Sequence, residues 1–299
     1  MKKRIRDIFI FTITSCIAIS IYGWKEFVLQ TPTVNVDSVN VYKSIPIHPD
    51  HIIFLWLENK GFNTIIGSDS AHFINSLIKK GTLFTNTYAI THPSYPNYVN
   101  FFAGAPNGVT NDACINNSTL ATPNLYTILK DVGKSFAWYS EDLPTTGSKI
   151  CISKNYVAKH NPTTIFTNVP DTVNKRFADL PADYNQLENV VCISPNLVDD
   201  MHNGTIKQAD TWLKKHLGKL VNWCTTHNSV FVIYFDESES NNDNRIPVIA
   251  IGQHVKTGFK LNARYDHYSW TKTISAMFLA QDGWTDNLST ARLITGCWK

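Results

Sequence analysis

The run Ile52-Ile53-Phe54-Leu55-Trp56-Leu57 is apolar at every position and stops abruptly at Glu58-Asn59-Lys60-Gly61. A strand with one wet face alternates in polarity. An unbroken apolar run of this length describes a strand covered on both faces, as in parallel sheets. A second such run, Val230-Phe231-Val232-Ile233-Tyr234-Phe235, stops at Asp236-Glu237. Shorter strand patterns lie at Ser135 to Ser140, Val190 to Ile193 and Ile246 to Ile251. Helical periodicity falls between them, at Ala71 to Lys80, Leu125 to Val132, Ile206 to Thr225 and Ser269 to Leu279. The third of these sets Ala209, Trp212, Leu213, Leu217, Leu220 and Val221 on one face. Strands alternating with helices predict an α/β layer sandwich with a mainly parallel central sheet. Residues 143–187 show little periodicity, and a loop that long in a compact domain is usually functional or a cap.

Thr91-His92-Pro93-Ser94-Tyr95-Pro96-Asn97-Tyr98 follows a β-prone run and leads into Val99 to Ala103, which reads as helix until Gly104. Ser94 therefore sits at or just before a helix N-terminus, where free N–H groups and the helix dipole favour an anion. Pro96 fits the first turn. Two readings of Ser94 stand side by side: a helix cap, or a nucleophile with Asn97 one turn on donating to an oxyanion.

The chain has 299 residues, 43% of them hydrophobic, enough for one large α/β domain or two small ones. Its net charge of +3 arises within Met1 to Asp7, and the remainder carries 23 basic and 23 acidic side chains. No basic surface is implied, which argues against a nucleic-acid partner. The basic start precedes the apolar stretch Ile8 to Ile21, the pattern of a secretory signal, with Tyr22 and Trp24 able to extend it into an anchor. The expected organisation is a signal peptide or membrane anchor over 1–24, a linker over 25–48 and a catalytic domain over 49–299. Export, to the periplasm or outside the cell, agrees with the cysteine usage. Cys114 and Cys151 lie in loop-like surroundings and can pair, whereas Cys192 sits in an apolar run as a buried thiol.

Ligands of open α/β sheets bind beyond the carboxyl ends of the strands. If those ends are neighbours here, Glu58, Asn59, Asp236 and Glu237 face one spot with Ser94. Three carboxylates repel unless a cation lies among them, and an all-oxygen set favours Mg, Ca or Mn. Such an ion lowers the pKa of a nearby serine hydroxyl and holds a phosphoryl oxygen. The competing reading is that acidic residues at strand ends are solvated turn residues. His160, His202 and His267 each follow a strand in a polar segment and suit protonation of a leaving alkoxide, though a loop histidine is more often a surface residue.

Several motifs occur in order: Glu58-Asn59, Thr91 to Tyr98, Tyr139 to Pro144, Lys159-His160-Asn161-Pro162, Ser194 to Leu197 with Asp200-Met201-His202, Asp210 to Leu213, Phe235-Asp236-Glu237 and His267-Tyr268-Ser269. Together they resemble the acid phosphatase / phospholipase C phosphoesterase family of the alkaline phosphatase superfamily, over roughly residues 50 to 285. The resemblance implies an alkaline-phosphatase-like three-layer sandwich, one divalent metal site and a phosphoserine intermediate. It implies Glu58, Asn59, Ser94, Asp236 and Glu237 as metal ligands and Ser94 as nucleophile. It assigns Asn97, His160, His202 and His267 to the phosphate or the leaving group, with Asn59 also near the substrate and His202 and His267 as catalytic groups. Asn203 departs from the family's usual Asp after the histidine. The expected activity is an exported, metal-dependent acid phosphatase acting on small phosphate monoesters. A phospholipase C-type phosphodiesterase and a non-catalytic phosphate-binding protein are the alternatives.

Overall fold

A computed structural model describes residues 45–115, 117–239 and 243–299. The expected signal or anchor segment, residues 1–24, and the linker up to residue 44 lie outside the described residues. Ile45 and Ile47 are buried in the core, and His48 Nδ1 lies 2.7 Å from the Met277 carbonyl. The last residues of the expected linker thus belong to the folded body. Among the described residues, no helix is long and apolar enough to cross a membrane.

In chain order the strands are β1 (His51–Leu57), β2 (Thr82–Tyr88), β3 (Phe136–Ser140), β4 (Ile152–Ser153), β5 (Tyr156–Val157), β6 (Asn174–Arg176), β7 (Val190–Ser194), β8 (Ser229–Phe235), β9 (Arg245–Gly252) and β10 (Phe259–Leu261). The helices are α1 (Phe62–Ile65), α2 (His72–Leu77), α3 (Ser94–Ala103), α4 (Leu125–Asp131), α5 (Ile206–Cys224), α6 (His267–Met277) and α7 (Asp286–Thr290). Eight strands form one sheet in the order β10-β2-β9-β8-β1-β7-β3-β6. Only the pairings of β9, with β8 and with β2, are antiparallel in that sheet. The fold is therefore the expected α/β class with a large, mainly parallel central sheet.

The two unbroken apolar runs are its centre. β1 lies between β7 and β8 and pairs in register with β8 from His51↔Ser229 to Leu57↔Phe235. That register brings Glu58 and Asp236, the residues after each strand, to the same end of the sheet. Phe54 and Trp56 point to one face, against Phe101, Tyr98 and Trp270 of α3 and α6. Ile53 and Leu55 are equally buried, so the opposite face is covered too. Fully burying each such side chain contributes about 1.5–3 kcal/mol, so this strand can scarcely shift without large loss. α3 ends at Gly104, whose φ of 71° belongs to the left-handed region. A Cβ there would also meet Leu288.

Residues 143–187 are more ordered than their composition suggests. They hold the β4–β5 hairpin, the edge strand β6 of the main sheet, and five short 3-10 turns. Periodicity is invisible in pieces of two to four residues.

Candidate active site

Ser94 is the first residue of α3 and is 1% exposed. It is not a cap: the residue at that position is Pro93, and no side chain caps this end. The Ser94 hydroxyl instead lies 3.1 Å from Glu58 Oε2 and 3.1 Å from Glu237 Oε1. Strand β1 delivers the first carboxylate and β8 the second. Asp236, directly after β8, takes the Asn59 N–H at 3.0 Å on Oδ1. Asn59 reaches that pose at a φ of 54°, a conformation asparagine tolerates better than most residues. Its side-chain amide donates to Glu58 Oε2 at 2.9 Å. Glu58, Asn59, Ser94, Asp236 and Glu237 are thus brought together as their positions after the strands suggested.

Asn97 is buried beside them, but its amide is engaged with the backbone. Its Oδ1 accepts from the Ile90 and Thr91 N–H groups at 3.1 Å, and Nδ2 donates to the Thr91 carbonyl at 2.8 Å. It shapes the turn entering α3. A weaker 3.5 Å contact to Glu237 Oε2 is its link to the carboxylates. The helix-start N–H of Tyr95 is not free for an anion either, because Asp112 Oδ1 accepts it at 2.9 Å.

The three histidines part company. His160 is buried, with Nε2 3.3 Å from Glu58 Oε1 and Nδ1 3.1 Å from Asp200 Oδ2. Burial, followed by the nearby Lys159 charge, lowers its pKa to about 3. Asn161 and Ser194 anchor its segment: Asn161 Nδ2 donates to Asn174 Oδ1 at 2.8 Å, and the Ser194 hydroxyl donates to the His160 carbonyl at 2.8 Å. His202 is half-buried, with Nε2 3.3 Å from Lys159 Nζ and Nδ1 2.9 Å from Asn203 Oδ1. His267 differs from expectation. It is fully buried at the start of α6, with Nδ1 2.7 Å from the Tyr234 hydroxyl and Nε2 2.8 Å from the Asp236 carbonyl. Burial lowers its pKa to about 4. A ring sealed in the core with both nitrogens engaged has no path to a leaving group. Its place is to hold the backbone of Asp236.

Sequence reasoning passed over several neighbours. His92 Nδ1 lies 2.7 Å from Glu237 Oε2. The Tyr98 hydroxyl donates to Glu58 Oε1, and the Tyr98 ring stacks on His160. Tyr98 lies four residues after Ser94, so helical spacing was its signal. Lys159 Nζ pairs with Asp112 Oδ2 at 2.6 Å. Nothing local in the sequence marks Asp112.

The carboxylates are crowded and buried. Burial, then the charges of Asp236 and Asp200, raise the Glu58 pKa well above the carboxylate range. Burial also raises Asp236. Burial and the Asp236 charge push Glu237 up to about 8, and burial brings Asp200 to about 7. Asp236 Oδ2 is buried without a hydrogen-bond partner, and His160 Nε2 makes no hydrogen bond, only the 3.3 Å approach to Glu58 Oε1. An orphaned carboxylate oxygen and a ring nitrogen turned toward crowded acids fit a bound metal ion. Glu58, His160 and His202 offer ligand atoms that all lie within 4.8 Å of one another. Glu58 therefore belongs to two possible donor sets, the expected all-oxygen one and this mixed one.

Comparison with known proteins places the chain in a family. The sequence profile of the Phosphoesterase family matches residues 68–280. A phosphatidylinositol-3-phosphatase from Mycobacterium tuberculosis is 38% identical over 83% of this chain and 82% of its own. A phosphate-repressible acid phosphatase from Penicillium chrysogenum is 30% identical over 76% of this chain, which spans only 58% of that enzyme's length. Among solved structures, the lipoteichoic acid synthase of Listeria monocytogenes superposes with a TM-score of 0.59 at 11% identity, covering 84% of this chain and 81% of that one. An alkaline phosphatase superfamily protein from Vibrio parahaemolyticus gives 0.54 at 11% identity, covering 79% and 67%. At such identities these two likenesses concern the fold alone.

Proposed function

The chain belongs to the Phosphoesterase family and is a hydrolase of phosphoric ester bonds, and on that footing we propose that it cleaves phosphate monoesters through Ser94. The observation that carries the proposal is the Ser94 hydroxyl, buried at a helix start and 3.1 Å from each of two carboxylates on different strands. In the proposed reaction Oγ gives up its proton to solvent as it attacks phosphorus in line, and the bond to the ester oxygen breaks. The leaving alkoxide takes a proton from His202, which is half-buried and regains one from solvent. Water then attacks the phosphoserine and frees inorganic phosphate, returning the proton to Oγ.

Glu58, Asn59, Asp236 and Glu237, with Ser94, are proposed to hold one divalent cation. Bound there, the ion supplies charge that favours serinate and steadies phosphoryl oxygens. The oxygen donors suit Mg, Ca or Mn, whereas sharing Glu58 with His160 and His202 extends the range to ions that accept imidazole. His267 keeps Asp236 in place through its carbonyl, and Asn97 keeps the loop before Ser94 closed on Glu237.

Export is proposed as well. The cationic and apolar start supports it, as does the Cys114–Cys151 disulfide, a bond that persists in oxidising compartments. Whether the N-terminal segment is cleaved or retained as a tether is part of the same proposal. The name of the 38%-identical relative makes phosphoinositides the first lipid substrates to assay beside p-nitrophenyl phosphate. Ser94→Ala tests the proposal. The variant should fold, by circular dichroism and thermal melting, yet lose turnover of every phosphomonoester. Full activity in it removes the mechanism.

A further inference from the structure

The loop over residues 104–122 carries Asp112, whose two carboxylate oxygens do different things. Oδ1 accepts the Tyr95 N–H at 2.9 Å, the amide directly after Ser94. Oδ2 pairs with Lys159 Nζ at 2.6 Å, and Lys159 Nζ in turn stands 3.3 Å from His202 Nε2. One side chain from a third segment therefore joins the start of the nucleophile helix to the segment that carries His160 and approaches His202. The lysine is only 15% exposed and the aspartate 32%, so solvent competes weakly for the pair.

The loop that carries Asp112 is joined to the segment before Lys159 a second time. Two residues after Asp112, Cys114 is bonded to Cys151. The Cys151 carbonyl accepts from the Ala158 N–H at 2.9 Å, and Ala158 immediately precedes Lys159. Covalent link, backbone hydrogen bond and ion pair thus close a small ring around the Asp112–Lys159 contact. A disulfide restricts how far its flanking residues can stray. Here the residue it restrains is the one touching the helix start.

We propose that Asp112 is a positioning residue for the reaction at Ser94, locked in place by the Cys114–Cys151 disulfide. It sets the Ser94 end of α3 against the Lys159–His202 side of the site. It also occupies the helix-start amide that a free phosphate would otherwise take, so phosphate is held by the cation site and the histidines instead. The inference rests on Ser94 being the nucleophile. Its effect is predicted on kcat more than on KM, because it concerns alignment rather than substrate affinity.

The test uses the full chain with metal supplied and p-nitrophenyl phosphate as substrate. Asp112→Ala removes both contacts and should lower kcat roughly ten- to a hundredfold, the range expected for a small misplacement of reacting groups. KM should change far less, and the melting temperature should show a folded protein. Asp112→Asn keeps an acceptor for Tyr95 but loses the charge facing Lys159, so its loss should be intermediate. If the alanine variant does not fold, the asparagine variant decides. The Cys114→Ser/Cys151→Ser double variant, or wild type under reductant, should move kcat in the same direction. Hydrogen exchange supplies a readout independent of turnover: the Tyr95 amide should lose protection in Asp112→Ala. An unchanged kcat with a lowered KM would show the carboxylate to be a mere occupant displaced by phosphate, overturning the proposal. So would unchanged protection at Tyr95. A wild type without phosphoester turnover would fault the proposed reaction instead, and the exchange result alone would then judge the brace.

Discussion

Ser94 and Glu58 meet from different elements, the serine at the first position of α3 and the glutamate just past β1, with Oγ and Oε2 3.1 Å apart. The contact leaves the serine side chain no role in capping its own helix. It also places a buried hydroxyl beside an acid whose ionisation burial and neighbouring charges oppose. Both groups are more costly to bury than their apolar counterparts, and a bound cation relieves both.

Removing that acid should separate metal binding from folding. Glu58→Gln keeps the shape and removes the charge. Metal affinity should fall by more than the roughly 10–100-fold typical of outer-shell changes. Isothermal titration with Mg, Mn and Zn measures this, while the melting temperature of the metal-free variant should not drop. A variant with wild-type affinity for all three ions would remove Glu58 from the site.

The crowded acids make metal-free stability depend on pH, with a definite sign. The folded pKa of Glu237, about 8, and of Asp200, about 7, lie above their ordinary values of 4.5 and 3.8. The folded protein therefore holds protons that the unfolded chain has already released. This contribution is present below about pH 4 and is lost as pH rises toward 8. Metal-free protein should melt at a higher temperature at pH 5 than at pH 8. A divalent ion competes with those protons, so it should stabilise most at pH 8, by about 2.7 kcal/mol at a hundredfold excess over Kd. Melting curves with chelator and with metal added back measure both effects. A metal-free protein that is steadier at pH 8 would contradict the reading of these carboxylates.

His202 and His267 should respond differently to substitution. If His202 protonates the leaving group, His202→Ala should slow an alkyl phosphate far more than p-nitrophenyl phosphate, whose phenolate leaves without help. An equal loss on both substrates would deny it that role.

His267 should behave as a structural residue. Its hydrogen bonds to Tyr234 and to the Asp236 carbonyl are buried, and losing one leaves an unpaired group at a cost of about 1–3 kcal/mol. His267→Ala should lower the melting temperature and weaken metal binding through Asp236. It should not remove an ionisation from the pH–rate profile. Loss of one limb of that profile at unchanged stability would restore it as a proton donor.

Much of this was legible in the sequence because burial on two faces erases alternation. The runs at Ile52 and Val230 announced strands covered on both faces, and their abrupt polar ends announced Glu58 and Asp236; that the two strands are neighbours is seen only in the fold. Position along a strand is local information. What His267 touches is not: its polar surroundings in sequence conceal a seat between β8 and α6. Asn97 was rightly placed near Ser94, yet its hydrogen bonds go to the turn that delivers the serine. Other motif residues proved to be anchors, such as Asp210, which receives the Phe73 and Ile74 N–H groups at the start of α2. Asp112 and β6 were missed because their partners lie in long aperiodic segments, where only three-dimensional contact gives a residue its meaning.

The most direct test is to mix enzyme, metal and a monoester substrate, quench in acid within the first turnovers, and weigh the peptide containing Ser94. The account predicts a phosphorylated Ser94 peptide that disappears as substrate is exhausted and never forms in Ser94→Ala. A peptide that stays unmodified while phosphate is still released, by wild type and Ser94→Ala alike, would contradict it.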